Sequence, residues 1–337
     1  MTSGRSWLGV HIKSDGAITA TGAIALAREA ERLGYAGVTL NEDVGHDVFS
    51  LLGAMSGVTE QILIGTAIVN VYTRSALQIA MGAATIDDLS NGRAMLGVSV
   101  GHHPWNDRYH GIALEPPLAR LREYVGFIKL ALSGERFHFE GEIFHNVEAK
   151  LGFPLFRRDL PVYIGGDRPN MLALSAEIAD GSIMNVVPAR YVADVAAPHY
   201  FDAARRAGRD VSALELIAIV TCCVNEDREV ALRDARTAFV GRLKSNPAKV
   251  IELRPREHQD ELRRIAALIV ENQLDQAISE IPDEIVTDTI AAGNVEDVAR
   301  ALGSFRAAGC TRVLVSAYPR TESQLRTTLE ALAPLNR

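Results

Sequence analysis

Apolar and polar positions follow a rhythm along the chain, with short continuous apolar runs separated by longer stretches that are apolar on one side only. Eight such runs recur, at residues 7–12, 37–40, 62–70, 94–100, 162–165, 182–186, 214–224 and 311–317. Continuous runs rich in Val, Ile, Leu and Ala predict strands buried on both faces. Between most of them the spacing is helical: Ala23, Leu26, Ala27, Ala30 and Leu33 share one face, as do Val298, Ala301, Leu302 and Phe305.

Two segments repeat one design, EAERLGYAGVTL ending at Leu40 and SFRAAGCTRVLV ending at Val315. Each predicts a helix, a glycine in the left-handed cap (Gly34, Gly309), a short turn and a buried strand. The later helix has Asn294 as its predicted N-cap, with Glu296 and Asp297 in its first turn. Alternating β and α units imply a parallel sheet. Eight of them favour closure, and no GxGxxG follows the first run as an open dinucleotide-binding sheet would have it. The predicted fold is therefore an α/β protein, a (β/α)8 TIM barrel forming a single domain over residues 1–337. Two stretches break the rhythm. A hairpin is expected at about 136–147, before strand five, and a helical insertion at about 244–291, between strands seven and eight.

Composition narrows the function classes. The chain is 47% hydrophobic and only 6% aromatic, which suits helices packed on aliphatic strands. A formal net charge of −7 without a Lys/Arg cluster argues against nucleic-acid binding. No apolar run approaches the roughly 20 residues needed to span a bilayer, and Met1 to Trp7 do not form a signal peptide. Cys222, Cys223 and Cys310 match neither a disulfide framework nor a zinc motif. The expectation is a cytoplasmic protein acting on a small molecule, with no membrane or nucleic-acid partner and no metal.

Active sites of such barrels lie at the C-terminal ends of the strands. That rule selects His11 and Lys13 after strand one, Asn41, Glu42 and Asp43 after strand two, and Asn70 and Tyr72 after strand three. It also selects His102 and His103 after strand four, and the Gly165–Gly166–Asp167–Arg168 loop after strand five. The adjacent carboxylates Glu42 and Asp43 could bind substrate or carry a proton; Asp43 could equally cap a helix beginning near His46. His102 suits hydrogen bonding to a cofactor or substrate better than metal ligation, since no third ligand has a fitting spacing. His11 is either a functional imidazole or a hydrogen-bonded core residue. Two glycines and Arg168 before a helix start suit an anion.

The stretch Leu51–Gly101 resembles the luciferase-like monooxygenase superfamily through Ile64-Gly65-Thr66, Val69-Asn70-Val71-Tyr72-Thr73-Arg74 and the segment from Thr85 through DDLSNGR to Leu96-Gly97. Pro161–Gly181 and, more weakly, Leu121–Phe144 extend the likeness, which looks closest to the branch of coenzyme F420-dependent methylenetetrahydromethanopterin reductase and deazaflavin-dependent dehydrogenases. The resemblance implies an oxidoreductase using F420, or alternatively an FMN-dependent monooxygenase; the absence of the family's His after strand two leaves open a deazaflavin- or flavin-binding protein without turnover. It implies a cis peptide at Ala67–Ile68, with Thr66, Ala67, Ile68 and Asn70 behind the cofactor ring. Gly165, Gly166, Arg168 and Asn170 would hold the cofactor's side chain, while His11, Glu42, Asp43 and His102 line the substrate side. Arg320, after strand eight, could serve an anion, and a homodimer is the family expectation. The chain departs from the pattern at Glu42-Asp43, where many relatives have Asp-His, and at His102, where some dehydrogenases have Glu.

Overall fold

The computed structural model describes residues 6–13, 17–101, 103–113 and 116–336. Among these, eight parallel strands close on themselves: β1 (Leu8–Ile12), β2 (Gly37–Leu40), β3 (Leu63–Thr66), β4 (Ala94–Ser99), β5 (Val162–Gly165), β6 (Gly181–Asn185), β7 (Glu215–Val224) and β8 (Arg312–Ala317). Each pairs with the next, and β8 returns to β1 with Val313 opposite Leu8 and Val315 opposite Val10. This is the predicted (β/α)8 barrel. Its strands are legible because each is shielded on both faces, by the barrel interior and by the surrounding helices, so selection for apolar residues runs unbroken along them.

The helices begin and end on local signals. Thr19, Asp47, Asn294 and Thr321 each accept a backbone N–H at a helix start, and Ser75 with Gln78 forms a reciprocal capping box. Gly34 and Gly309 take φ values of +83° and +109° just after their helices, as the repeated design predicts. Asp47 caps the helix Val48–Ser56, so the capping alternative for Asp43 falls to its neighbour four residues on.

One core layer lies between strands and helices. A second fills the barrel, where Met95, Tyr163, Ile183, Ile217, Ile219 and Leu314 pack together under Ala67 and Ile68. Each such side chain contributes about 1.5–3 kcal/mol of burial. The DDLSNGR segment proves structural: Arg93, buried, donates to the carbonyls of Thr59, Ile62 and Ser90, while Asp87 pairs with Arg157 at 2.9 Å.

Both insertions are present. The hairpin pairs Phe137–Phe139 with Val147–Ala149 and packs Phe137, Phe139 and Phe144 around Phe127. After β7 the helix Arg228–Ser245 leads into four shorter helical segments, from Pro247–Glu252 to Asp283–Thr287, with their own apolar cluster around Phe239, Leu243, Leu262, Ile265 and Val286. The insertion ends in a strand the pattern did not reveal, Ile290–Gly293, paired with Thr221–Val224. β7 is ten residues long and β6 covers only its first half, so the short Ile-Ala-Ala-Gly segment completes the second. Four residues of mostly small side chains carry too little hydrophobic signal to be read locally.

Candidate active site

The C-terminal ends of the strands open into a cavity of about 640 Å3. Its wall brings together His11 and Lys13 from β1, Glu42 and Asp43 after β2, and Ala67, Ile68 and Asn70 after β3. Ser99 and Gly101 follow from β4, and Asn185 and Val186 from β6. Arg242, Ser245, Asn246 and Lys249 reach it from the far side of the insertion.

The floor is a bulge. The Ala67–Ile68 peptide is cis, at the position implied by the resemblance, and it interrupts the run 62–70 between β3 and the short Val69–Asn70 strand. Neighbouring strands hold the bulge by its backbone. Ala67 N–H donates to Leu40 O at 2.6 Å, and Ile68 O accepts from Glu42 N–H at 2.8 Å. The Thr66 hydroxyl donates to Gly97 O at 2.8 Å and accepts from Gly97 N–H at 2.9 Å. Glycines make the space: a Cβ on Gly97 would lie 2.4 Å from Thr66 O, and one on Gly165 would lie 2.8 Å from the Ile68 side chain.

Above the floor, His11 is 2% exposed, and its Nδ1 lies 3.1 Å from the Thr39 hydroxyl. That hydroxyl donates to Val10 O at 3.3 Å, so it accepts from the imidazole; the proton sits on Nδ1 and Nε2 keeps its lone pair. Burial, reinforced by the charges of Lys13, Arg242 and Arg320, lowers the His11 pKa to about 3. The cavity therefore holds a neutral imidazole acceptor at any ordinary pH.

Glu42 is tied in place. One carboxylate oxygen accepts from Arg74 Nε at 2.5 Å and the other from Asn70 N–H at 3.2 Å, while Arg74 also pairs with Asp47. This carboxylate joins the loops after β2 and β3 while still lining the cavity. Asp43, freed from capping, stays in the wall with interactions of its own. Asn70 faces Asn106, its Nδ2 donating to Oδ1 at 2.6 Å, and its own Oδ1 accepts from Tyr72 N–H at 3.0 Å. Asn106 in turn donates to Val100 O at 2.8 Å, so the amide pair joins the loops after β3 and β4.

Other predicted residues lie apart. Thr66, Gly165, Gly166, Arg168 and Asn170 do not line the cavity. The loop after β5 sits beneath the insertion: Asp167 pairs with Lys249, Arg168 with Glu252, and Lys249 also donates to Asn185 O at 2.8 Å. His102 lies outside the described residues. Among the described residues no three His, Cys, Asp or Glu side chains group as metal ligands, and no helix is long and apolar enough to cross a membrane.

A model of the luciferase-like monooxygenase family matches residues 2–312. The chain belongs to this family. It is 30% identical to 5,10-methylenetetrahydromethanopterin reductase of Archaeoglobus fulgidus over 82% of this chain and 87% of the relative. It is 31% identical to an F420-dependent glucose-6-phosphate dehydrogenase of Nakamurella multipartita, over 63% of this chain and 66% of the other. The solved coenzyme F420-dependent tetrahydromethanopterin reductase of Methanopyrus kandleri superposes with a TM-score of 0.86, covering 99% of this chain and all of the other at 22% identity.

Sequence reasoning missed Arg74 as the partner of Glu42, Asn106 as the partner of Asn70, and Arg242 and Lys249 in the wall. Arg74 and Asn106 carried only the weak signal of following strand ends. Arg242 and Lys249 carried none, because their helices are positioned by the fold of the insertion. Val186, at φ +59°, marks the lip after β6; a β-branched residue in that region is uncommon enough to be a signal, but only in three dimensions.

Proposed function

We propose that this chain is an F420-dependent oxidoreductase, transferring a hydride to or from a small organic substrate. The observation that carries the reading is the Ala67–Ile68 bulge, gripped by β2 and β4 and cleared by Gly97 and Gly165, forming the floor of a cavity that also holds a neutral imidazole. The residues fit a planar cofactor. The floor is apolar, and the volume lies within the roughly 300–1,000 Å3 usual for such sites. When bound, the deazaflavin supplies the hydride chemistry.

The chain's own residues do the rest. Ala67 and Ile68 present a fixed apolar face against which a ring can be oriented. Glu42, Arg74, Asn70 and Asn106 hold the surrounding loops so that this face does not shift. Gly165, Gly166, Arg168 and Asn170, the expected holders of the cofactor's anionic side chain, stand outside the cavity wall. They would reach only a part of the cofactor that extends beyond the cavity, and Arg168 would have to exchange its pairing with Glu252. His11, through Nε2, is the candidate to accept a hydrogen bond from a substrate hydroxyl while staying neutral. A homodimer, which the family resemblance implies, would be tested by light scattering.

Fluorescence titration of the purified protein with F420 and, separately, with FMN tests the assignment. Micromolar F420 binding with much weaker FMN binding supports it. The reverse preference points to a flavin monooxygenase, and failure of both would sink the proposal.

A further inference from the structure

The loop after β5 is held twice, by its backbone and by its side chains. Its backbone belongs to the barrel side: Gly166 N–H donates to Ile183 O at 2.9 Å, the Ser99 hydroxyl to Gly165 O at 2.7 Å and the Tyr191 hydroxyl to Asp167 O at 2.7 Å. Its two charged side chains belong to the insertion. Asp167 pairs with Lys249 and Arg168 with Glu252, both on the short helix Pro247–Glu252. Three positions apart, these two helix residues share one face. Asn246 caps the helix by accepting from Lys249 N–H at 3.2 Å, and Val250 is buried in the insertion's apolar cluster, so that face is fixed in place.

The two pairs differ in strength, and burial decides which of them can be exchanged. The Lys249 and Asp167 side chains are 22% and 9% exposed. Lys249 also donates to Asn185 O at 2.8 Å, so one ammonium ties the ends of β5 and β6 to the insertion. Removing one partner of such a pair leaves a charge that water reaches poorly, which makes the pair hard to break. The Arg168 and Glu252 side chains are 49% and 55% exposed. A pair so exposed contributes little and is screened by salt, so a competing anion can take the guanidinium easily. Carboxylate and phosphate engage the same fork of guanidinium donors. Glu252 therefore occupies Arg168 by the chemistry that an anionic cofactor chain would use.

We propose that the helix Pro247–Glu252 is a two-point clasp on the loop after β5. Lys249 is a positioning residue that fixes the loop, and Glu252 is an internal competitor that gives up Arg168 when the cofactor's anionic chain binds. The role of Glu252 rests on the oxidoreductase reading, whereas that of Lys249 rests on its contacts alone. Asn246, Lys249 and Val250 also line the cavity, so the element that holds the loop forms part of the cavity wall. The two residues then have opposite effects on cofactor affinity although they stand on one helix. A general weakening of that helix would move both in the same direction.

The test compares Glu252→Gln, Lys249→Met and the double variant Asp167→Asn/Lys249→Met with the parent. Binding is followed by fluorescence for F420 and for the same deazaflavin carrying only an uncharged ribityl chain. Amide hydrogen exchange of residues 165–170 is measured without ligand. We expect Glu252→Gln to bind F420 roughly two- to fivefold more tightly, the range for release of an exposed ion pair, with the uncharged deazaflavin unaffected. Lys249→Met should weaken F420 binding roughly tenfold or more and speed exchange in the loop. The double variant should recover part of both, because no unpaired buried carboxylate remains. Unchanged or weaker F420 binding in Glu252→Gln, or an equal gain for the uncharged deazaflavin, overturns the competitor role. Unchanged loop exchange in Lys249→Met overturns the positioning role, and so does a double variant no better than the single one, which would assign the effect to packing of the lysine stem. If Lys249→Met does not fold, Asp167→Asn carries the exchange comparison, with a smaller rise expected. Should the parent bind no F420, the oxidoreductase reading and the competitor role fall together, while hydrogen exchange, read without cofactor, still decides the role of Lys249.

Discussion

His11 and Thr39 meet across the seam between β1 and β2, with imidazole Nδ1 3.1 Å from the hydroxyl oxygen. Because Thr39 donates onward to Val10, His11 is fixed in one tautomer, and burial keeps it neutral. The stability of the protein should record this. An unfolded chain protonates His11 near its ordinary value of 6.5, whereas the folded chain does so only at about 3. Between these values the unfolded state binds the extra proton. The contribution is complete above pH 6.5 and is lost as the pH falls towards 3, at about 1.4 kcal/mol per pH unit. Denaturant unfolding at pH 7.5, 6.0 and 5.0 should show a shallower loss in His11→Gln than in the parent; parallel losses would contradict the assignment.

Arg74 is the hub of the loops after β2 and β3, through Glu42 and Asp47. Arg74→Met should cost about 1–3 kcal/mol, more than an exposed pair and less than a fully buried one. It should also weaken cofactor binding, because Glu42 then loses its charge partner while still holding Asn70. Glu42→Gln, which keeps a carbonyl acceptor for one of the two donors, should be milder. Equal stability of the parent and Arg74→Met would remove the loop-fastening role.

The bulge can be tested through the glycines that clear it. In Gly97→Ala the added methyl meets a backbone oxygen at 2.4 Å, which cannot move without shifting β3. In Gly165→Ala it meets the Ile68 side chain at 2.8 Å, which can adjust in part. Both should destabilise, within or above the roughly 1–3 kcal/mol typical of overpacking, with Gly97→Ala the worse. Chemical unfolding would show the order, and the reverse order would mean that the bulge is not gripped as described.

Asn70 and Asn106 satisfy one another in a buried pair. Asn70→Ala leaves Asn106 Oδ1 without this donor, and Asn106→Ala leaves Asn70 Nδ2 without this acceptor. The remaining amide keeps its bond to Val100 O or Tyr72 N–H, and either change should cost about 1–3 kcal/mol. The double variant should cost less than the sum by at least about 0.5 kcal/mol. Strict additivity in the double-mutant cycle would show that the two amides act independently.

The strands, most of their boundaries and both insertions are legible in the chain, because burial on two faces and helical spacing are properties of neighbouring residues. Gly34 and Gly309 show how local the information is: each glycine marks the end of its own helix and the start of the next strand. The candidate site was legible only as a set of strand ends. His11, Glu42, Asp43, Ala67, Ile68 and Asn70 reach the cavity wall, because a parallel strand in a closed barrel must deliver its C-terminal end to one face. The β5 loop did not follow that rule into the wall, since the insertion folds back and occupies Asp167 and Arg168 with Lys249 and Glu252.

By itself the sequence determined the barrel and which strand ends would face the mouth, whereas the place of the bulge came from the family resemblance. Only the tertiary structure decided that Glu42 belongs to Arg74 and Asn70 to Asn106, and that Arg242 and Arg320 come to the walls that His11 lines. The physical reason is range. Hydrophobic periodicity, caps and turns act between residues a few positions apart, whereas the charges and amides of the site meet across separations of about 30 to 300 residues. Nothing in either neighbourhood announces the other until the barrel has closed.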